Sequence, residues 1–344
     1  MMKIILSVFY CLPSKMQSVI RRYVLLVIYS SHSGTLAKHC PRCHAFFNHM
    51  RIKTRNKIEH AIHGGDPQSK LPDVSVLNTL SQLVSLQLYR DILTDVRYTD
   101  PRRLERFGCK FYSQNDEDGI IAEIFRRIGT TNRMFLEFGV SNGLENNTLL
   151  LTYHGWQGVW LDGGEENIAF INDKFQPLLA NNTLRVRQQW ITAETINTII
   201  QSLDLPKDLD LLSIDIDGND YYVFKNIECI RPRVVVIEFN SKLPPPVLAV
   251  MRYKPDFQWE QDKTDYFGCS LESLTQMADK KGYQLVGSNI TGCNAFFVRK
   301  DLCGEHFFLP ATATALYNPP RYEIFTGGAF RIGHPASYGP WEQL

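Results

Sequence analysis

The sequence predicts an α/β fold: a doubly wound, mostly parallel sheet with helices on both faces, ending in an antiparallel C-terminal hairpin. Three observations predict it. Strand-like and helix-like segments alternate from residue 134 onward, the pattern of a parallel sheet covered on both sides. Several of the strand segments, such as Arg233 to Phe239, are near-continuous apolar runs, as burial on both faces demands. Finally, Tyr283 to Gly287 and Ala295 to Arg299 read as two short strands joined by a Ser-Asn-Ile-Thr-Gly-Cys-Asn turn, most simply a hairpin.

Composition agrees with a globular chain. Hydrophobic residues are 44%, charged residues 21% and aromatics 12%, far from disordered, collagen-like or multispanning compositions. At 344 residues, one elaborated α/β domain with appendages fits as well as two domains. The net charge of +1 conceals an asymmetry, because residues 1–65 hold ten Lys/Arg against one acid, Glu59, leaving 27 basic and 35 acidic residues in the remainder. An acidic body without a basic stripe argues against nucleic acid as a partner.

Residues 1–65 are read as a basic, poorly ordered extension. Its apolar stretches, Ile4 to Leu12 and Tyr23 to Tyr29, fall well short of the roughly 20 residues of a spanning helix, so no transmembrane segment is expected. Met1-Met2-Lys3 before an apolar run resembles a secretory signal without its cleavage site, and the acid-poor composition also resembles a mitochondrial transit segment. Against these alternatives the expected location is cytoplasmic, in keeping with cysteines scattered at 11, 40, 43, 109, 229, 269, 293 and 303 in no disulfide framework. Cys40-Pro-Arg-Cys43-His44 matches a haem-attachment pattern by coincidence. His39, Cys40, Cys43, His44 and His49 lack the second ligand pair of a zinc finger, so no metal is assigned. The Asn-x-Thr sequons at Asn146, Asn181 and Asn289 are read as chance matches.

The elements follow in order. After Gly64-Gly65-Asp66-Pro67, residues 66–108 form an accessory helical segment, in which Leu77, Leu80, Val84, Leu88 and Ile92 recur at helical spacing. Residues 109–305 form the main domain. Asn115 to Gly129 is its best-signed helix, with Asn115 or Asp116 as cap, Glu117 and Asp118 at the positive end, and Ile120, Ile121, Ile124, Phe125 and Ile128 on one face. Strands are expected at Met134 to Phe138, Gly158 to Asp162, Leu184 to Gln188, Leu209 to Ile216 and Arg233 to Phe239. Helices at Asn167 to Leu179, Ala193 to Leu203 and Tyr221 to Ile230 connect them, the last capped by Asp220. Ser270 caps a later helix that Gly282 stops, ahead of the hairpin. The 306–344 tail carries Tyr317, Tyr322, Phe325, Phe330, Tyr338 and Trp341; it either drapes over the domain or mediates self-association.

The chemistry concentrates at strand ends. Phe135-Leu-Glu137-Phe-Gly139-Val-Ser141-Asn-Gly143 is an apolar strand that runs into an acid and a small-residue turn, where Gly139 and Gly143 let the backbone approach a ligand closely. It matches neither the dinucleotide fingerprint nor the phosphate loop. Asp162 stands nineteen residues past Gly143, at the end of the second strand, where an acid can accept both hydroxyls of a ribose. Read alone, it could equally solvate the sheet edge. Asp215-Ile-Asp217-Gly218-Asn219-Asp220 and Glu238 end the fourth and fifth strands. Their carboxylates converge on an anionic edge suited to a cationic ligand or a metal, where crowding can raise one carboxyl pKa toward that of a general base. A calcium loop is excluded because the twelfth position after Asp215 is Asn226, not Glu. His154, before Gly155, reads as a helix-end cap.

Assembled, these residues resemble the class I S-adenosylmethionine-dependent methyltransferases, and more narrowly the FkbM-like branch, over about residues 110–305. Glu137, Gly139 and Gly143 match the family's first-strand motif, with Ser141 in place of its middle glycine, and Asp162 corresponds to its ribose-binding acid. Asp215 to Asp220 looks like the fourth-strand signature. Ser113-Gln114-Asn115-Asp116-Glu117-Asp118-Gly119 resembles the lead-in of the branch, and Gly282-Tyr283 with Asn294-Ala295-Phe296-Phe297 its terminal hairpin. The resemblance implies a Rossmann-like, three-layer α/β/α domain, S-adenosyl-L-methionine as cofactor, and methylation of a hydroxyl on a sugar or other small molecule. It implies that Gln114, Glu137, Gly139, Ser141, Gly143 and Asp162 hold the cofactor. Asp217 or Glu238 is the candidate base, with Asp215 as second choice or metal ligand. Leu243 to Cys269, with Tyr253, Phe257, Trp259, Tyr266 and Phe267, reads either as the acceptor wall or as a loop with a private core. The rival functions are a metal-dependent glycosyltransferase using Asp215 and Asp217, and a cofactor-binding fold without catalysis.

Overall fold

The structure, a computed structural model, describes residues 74–262 and 264–325, all within a unit spanning Val74–Leu344. The basic leader, its cysteine and histidine cluster, and Phe330, Tyr338 and Trp341 of the tail lie outside the described residues. The strands are β1 Met134–Phe138, β2 Gln157–Asp162, β3 Leu184–Gln188, β4 Leu211–Ile214, β5 Val234–Glu238, β6 Tyr283–Ser288 and β7 Asn294–Arg299. They form one seven-stranded sheet in the order β3-β2-β1-β4-β5-β7-β6. β1 to β5 run parallel, and β7 lies antiparallel between β5 and β6. This is the doubly wound sheet with a closing hairpin that the sequence predicts.

Burial explains the strand sequences. β4 and the first four residues of β5 are buried throughout, so both strands are apolar on both faces. β3 at the sheet edge alternates, with Arg185 and Arg187 toward solvent. Separate apolar cores lie on the two faces, one holding Leu212, Val235 and Phe297, the other Phe135, Trp160 and Phe296. The expected helix over 167–179 is two helices, Glu165–Lys174 and Gln176–Ala180. Phe175 marks the break, fully buried with its ring 5.2 Å from that of Trp160, and Pro177 cannot donate a helical hydrogen bond across it.

The helix Glu117–Ile128 departs from its expected electrostatics. Asp116 occupies the cap position but makes no capping hydrogen bond; instead it accepts from the Tyr89 hydroxyl at 3.2 Å. Burial and the neighbouring Glu117 push its carboxyl up to about 8. Glu117 and Asp118 are not solvated at a helix end but sealed inside. Asp118 Oδ2 accepts from the backbone N–H groups of Phe111, Tyr112 and Ser113. Glu117 accepts from Asn115 N at 2.8 Å and, on Oε1, from Asn289 Nδ2 at 2.6 Å and Asn294 Nδ2 at 3.0 Å. The acids therefore fasten the lead-in segment to the β6–β7 turn.

The described part of the tail drapes over the domain. Ile324 and Phe325 join a small core with Tyr98 and Ile290, and the Tyr98 hydroxyl donates to Asn318 Oδ1 at 2.5 Å. The five described cysteines are free thiols, and no helix among the described residues is long and apolar enough to cross a membrane. Asn146 and Asn289 are buried and donate hydrogen bonds to Glu137 and Glu117, so neither sequon is open to modification in the folded chain.

Candidate active site at the carboxyl edge

Strand order reverses between β1 and β4, whose connections leave toward opposite faces and leave a crevice at their carboxyl ends. A cleft of about 400 Å³ opens there, lined among others by Gly139, Ser141, Asp162, Trp190, Asp215 and Asp217. Its floor is the turn after β1. Gly139 has φ +70°, and a Cβ there would overlap the Asp215 carbonyl oxygen. Glycine is thus needed where the turns after β1 and β4 pass each other. Ser141 also sits in the left-handed region, at φ 49°, which costs a non-glycine residue about 1–2 kcal/mol. Its N–H donates to Asp162 Oδ2 at 2.8 Å, holding it there.

Asp162 is engaged on both oxygens. Oδ1 accepts from Gly164 N at 2.8 Å and Asn167 Nδ2 at 2.9 Å, while Oδ2 takes Ser141 N. A carboxylate offers about four acceptor positions, so about one remains for a ligand. The expectation of a carboxylate free to take two ribose hydroxyls is corrected accordingly, since the first task of Asp162 is to clamp the β1 turn to the loop after β2.

Three of the expected cofactor residues do not line the cleft. Glu137 is only 2% exposed; it accepts from Asn147 N at 2.8 Å, Asn146 Nδ2 at 2.9 Å and Thr148 Oγ1 at 2.5 Å. It braces the Asn146–Thr148 segment from beneath, and burial pushes its carboxyl up to about 7. Gly143 has φ +79° and closes the turn through its N–H to Val140 O at 2.8 Å. A Cβ there would meet the Trp160 ring at 2.7 Å, so packing, not ligand approach, requires the glycine. Gln114 is exposed on the lead-in segment, its backbone carbonyl accepting from Lys110 Nζ.

The acids of the fourth and fifth strands do converge. Asp215, Asp217 and Glu238 each place a carboxylate oxygen within 4.8 Å of the others, close enough to share a divalent cation. Glu238 Oε2 is buried without a hydrogen-bond partner. Burial foremost, then Asp217 and Asp220, raises the Asp215 carboxyl well above the usual carboxylate range; Glu238 is raised by burial, then by Asp215 and Asp217. Asp217 holds φ 56°, which Asp tolerates better than most residues. Asp220 is not the helix cap, a position that Asn219 fills. Its carboxylate accepts from Ile216 N at 2.8 Å and Gly218 N at 2.9 Å, folding the turn that carries Asp217.

Carboxyl carbon NMR should therefore show Asp215 and Glu238 titrating above the ordinary value of about 4. Asp215→Asn should lower the Glu238 pKa, because removing a neighbouring negative charge eases ionisation of the acid that remains. Titration of both groups near the ordinary value would mean that the crowding does not exist in solution.

The Leu243 to Cys269 segment is tied to this site and not to a core of its own. Asn219 Nδ2 donates to Lys254 O at 2.8 Å, the Tyr222 hydroxyl to Met251 O at 3.0 Å and Trp190 Nε1 to Pro255 O at 2.9 Å. The Phe257 ring lies against Gly218, where a Cβ would be 2.5 Å from it. Trp190 and Asn167 escaped the sequence reading as site residues. They belong to no spaced motif, and only the fold brings Trp190, just beyond β3, over Gly163.

No protein-family profile matches the chain, and no curated protein matches it. Among solved structures it is similar to the N-terminal domain of EvdMO1 with SAH bound, at 14% identity and a TM-score of 0.37 over 61% of this chain and 95% of that one. It is also similar to the bifunctional kinase-methyltransferase WbdD, at 16% identity and a TM-score of 0.34 over 52% of this chain. The matched region spans 37% of the length of WbdD.

Proposed function

We propose that the chain is an S-adenosyl-L-methionine-dependent methyltransferase of the FkbM-like kind, acting on a hydroxyl of a sugar or other small molecule. The observation that carries this reading is the Ser141–Asp162 contact at 2.8 Å, on the floor of a cleft whose other side is formed by Asp215 and Asp217. The cofactor fits this donor set. A volume of about 400 Å³ lies within the range of small-molecule sites, Asp162 keeps an acceptor position for a ribose hydroxyl, and Trp190 offers an aromatic face for a base. The acidic edge suits a cation. Bound there, S-adenosyl-L-methionine would supply a methyl group on a positively charged sulfur. The chain's own part is orientation, which in well-aligned systems reaches effective molarities of about 10⁵ M and above, together with removal of the hydroxyl proton. Asp217 lines the cleft and is exposed, which supports it as the acceptor of that proton, with Asp215 and Glu238 as its neighbours.

The Asp215–Asp217–Glu238 grouping also favours a second reading, a metal-dependent glycosyltransferase. Thermal shift separates the two. S-adenosylhomocysteine should raise the melting temperature, by about 2.7 kcal/mol of added stability at a hundredfold excess over Kd, whereas a nucleotide sugar with Mn²⁺ should not. Asp162→Ala should abolish the shift. Stabilisation by the nucleotide sugar alone would transfer the assignment to the second reading.

A further inference from the structure

A second cleft of about 510 Å³ adjoins the first and shares Phe257 and Gln258 with it. The two differ in charge. The charged residues lining the first are Asp162, Asp215 and Asp217, all acids; those lining the second are Arg252 and Lys254, with Tyr253, Phe257 and Tyr266 as aromatic surface. Among the described residues the Arg252 guanidinium has no hydrogen bond or ion pair. Lys254 has only an exposed contact with Asp256 at 4.0 Å, a separation at which surface pairs contribute little. The backbone beneath both cations is fixed. Arg252 N donates to the Tyr266 hydroxyl at 3.1 Å, Lys254 O accepts from Asn219, and the Tyr253 hydroxyl donates to Glu194 at 2.5 Å. The backbone that carries both cations therefore stands at a set place relative to the turn that carries Asp217.

We infer that the hydroxyl acceptor carries an anionic group, a carboxylate or a phosphate, held by Arg252 and Lys254 at the end remote from the acidic cluster. This rests on the methyltransferase reading of the first cleft. An acceptor that is negative at one end is repelled from Asp215 and Asp217 and drawn to the basic end, so charge alone turns its hydroxyl end toward the acids. Arg252 supplies a planar fork that matches either anion with two parallel hydrogen bonds. Tyr253, Phe257 and Tyr266 provide faces for an intervening ring.

The test titrates the full chain, with and without S-adenosylhomocysteine, by calorimetry at low salt with glucose, glucuronate and glucose 6-phosphate. Both anionic sugars should bind about tenfold or more tightly than glucose, and their relative affinities tell carboxylate from phosphate. Arg252→Glu should weaken both by about tenfold or more while leaving the S-adenosylhomocysteine melting shift unchanged; Arg252→Lys should retain part of the preference. Failure of both anions to bind, equal binding of glucose, or undiminished anion binding by Arg252→Glu overturns the inference. A missing melting shift in the unaltered chain instead overturns the methyltransferase reading, and the anion titration without S-adenosylhomocysteine still decides this one.

Discussion

A Gly139→Ala chain is expected to lose about 3 kcal/mol of stability and all of its melting shift with S-adenosylhomocysteine. Two costs combine. The position has φ +70°, and the added methyl would overlap the Asp215 carbonyl oxygen. Because that carbonyl belongs to backbone at the end of β4, relief requires the two turns to part, which displaces Ser141 from Asp162 and Asp215 from its neighbours. Gly155→Ala separates the two costs, since Gly155 has φ +73° with nothing within 4 Å of its Cβ position; it should cost only about 1–2 kcal/mol. Urea denaturation of both variants checks this. Equal losses in the two would remove the case for a tight crossing of the β1 and β4 turns.

Glu117→Ala is expected to be as damaging from outside the cleft. The substitution takes the acceptor from Asn115 N, Asn289 Nδ2 and Asn294 Nδ2 in a place where all four residues are at most 2% exposed. Each buried donor left unpaired costs about 1–3 kcal/mol, so a loss above about 3 kcal/mol should appear in denaturant titrations. Asn294→Ala, which deletes one donor and leaves the acceptor its other partners, should cost about 1 kcal/mol. The effect reaches the site because Asn294 pairs in register with Glu238, so loosening the β6–β7 turn moves one carboxylate of the acidic group. A Glu117→Ala chain as stable as the parent would show that water replaces the lost acceptor.

Much of this architecture was legible in the chain. β1 and β3 coincide with their predicted bounds, the other strands differ by one or two residues at one or both ends, and the hairpin lies where its turn sequence put it. These features are local. An apolar run, a strand-ending acid and a turn glycine act through near neighbours in sequence, whatever the rest of the chain does. The gathering of Asp162, Asp215 and Asp217 at one cleft was legible too, because parallel strands must present their carboxyl ends to one edge.

The roles of individual side chains were not. Glu137 has the residue type and spacing of a ligand-binding acid, yet the alternation of side chains along β1 delivers it to the Asn146–Thr148 segment, which uses up its oxygens. Asp162 reads as an open carboxylate until Gly164, Asn167 and Ser141 are found upon it. Gln114 stands beside buried acids but remains outside. Sequence by itself determined the strands, their closing hairpin and the acidic edge, because periodicity and turn chemistry operate over a few residues. Only the tertiary structure decided which polar groups are already satisfied and which still face a cleft, because the hydrogen-bond partners that settle that come from segments far apart in the chain.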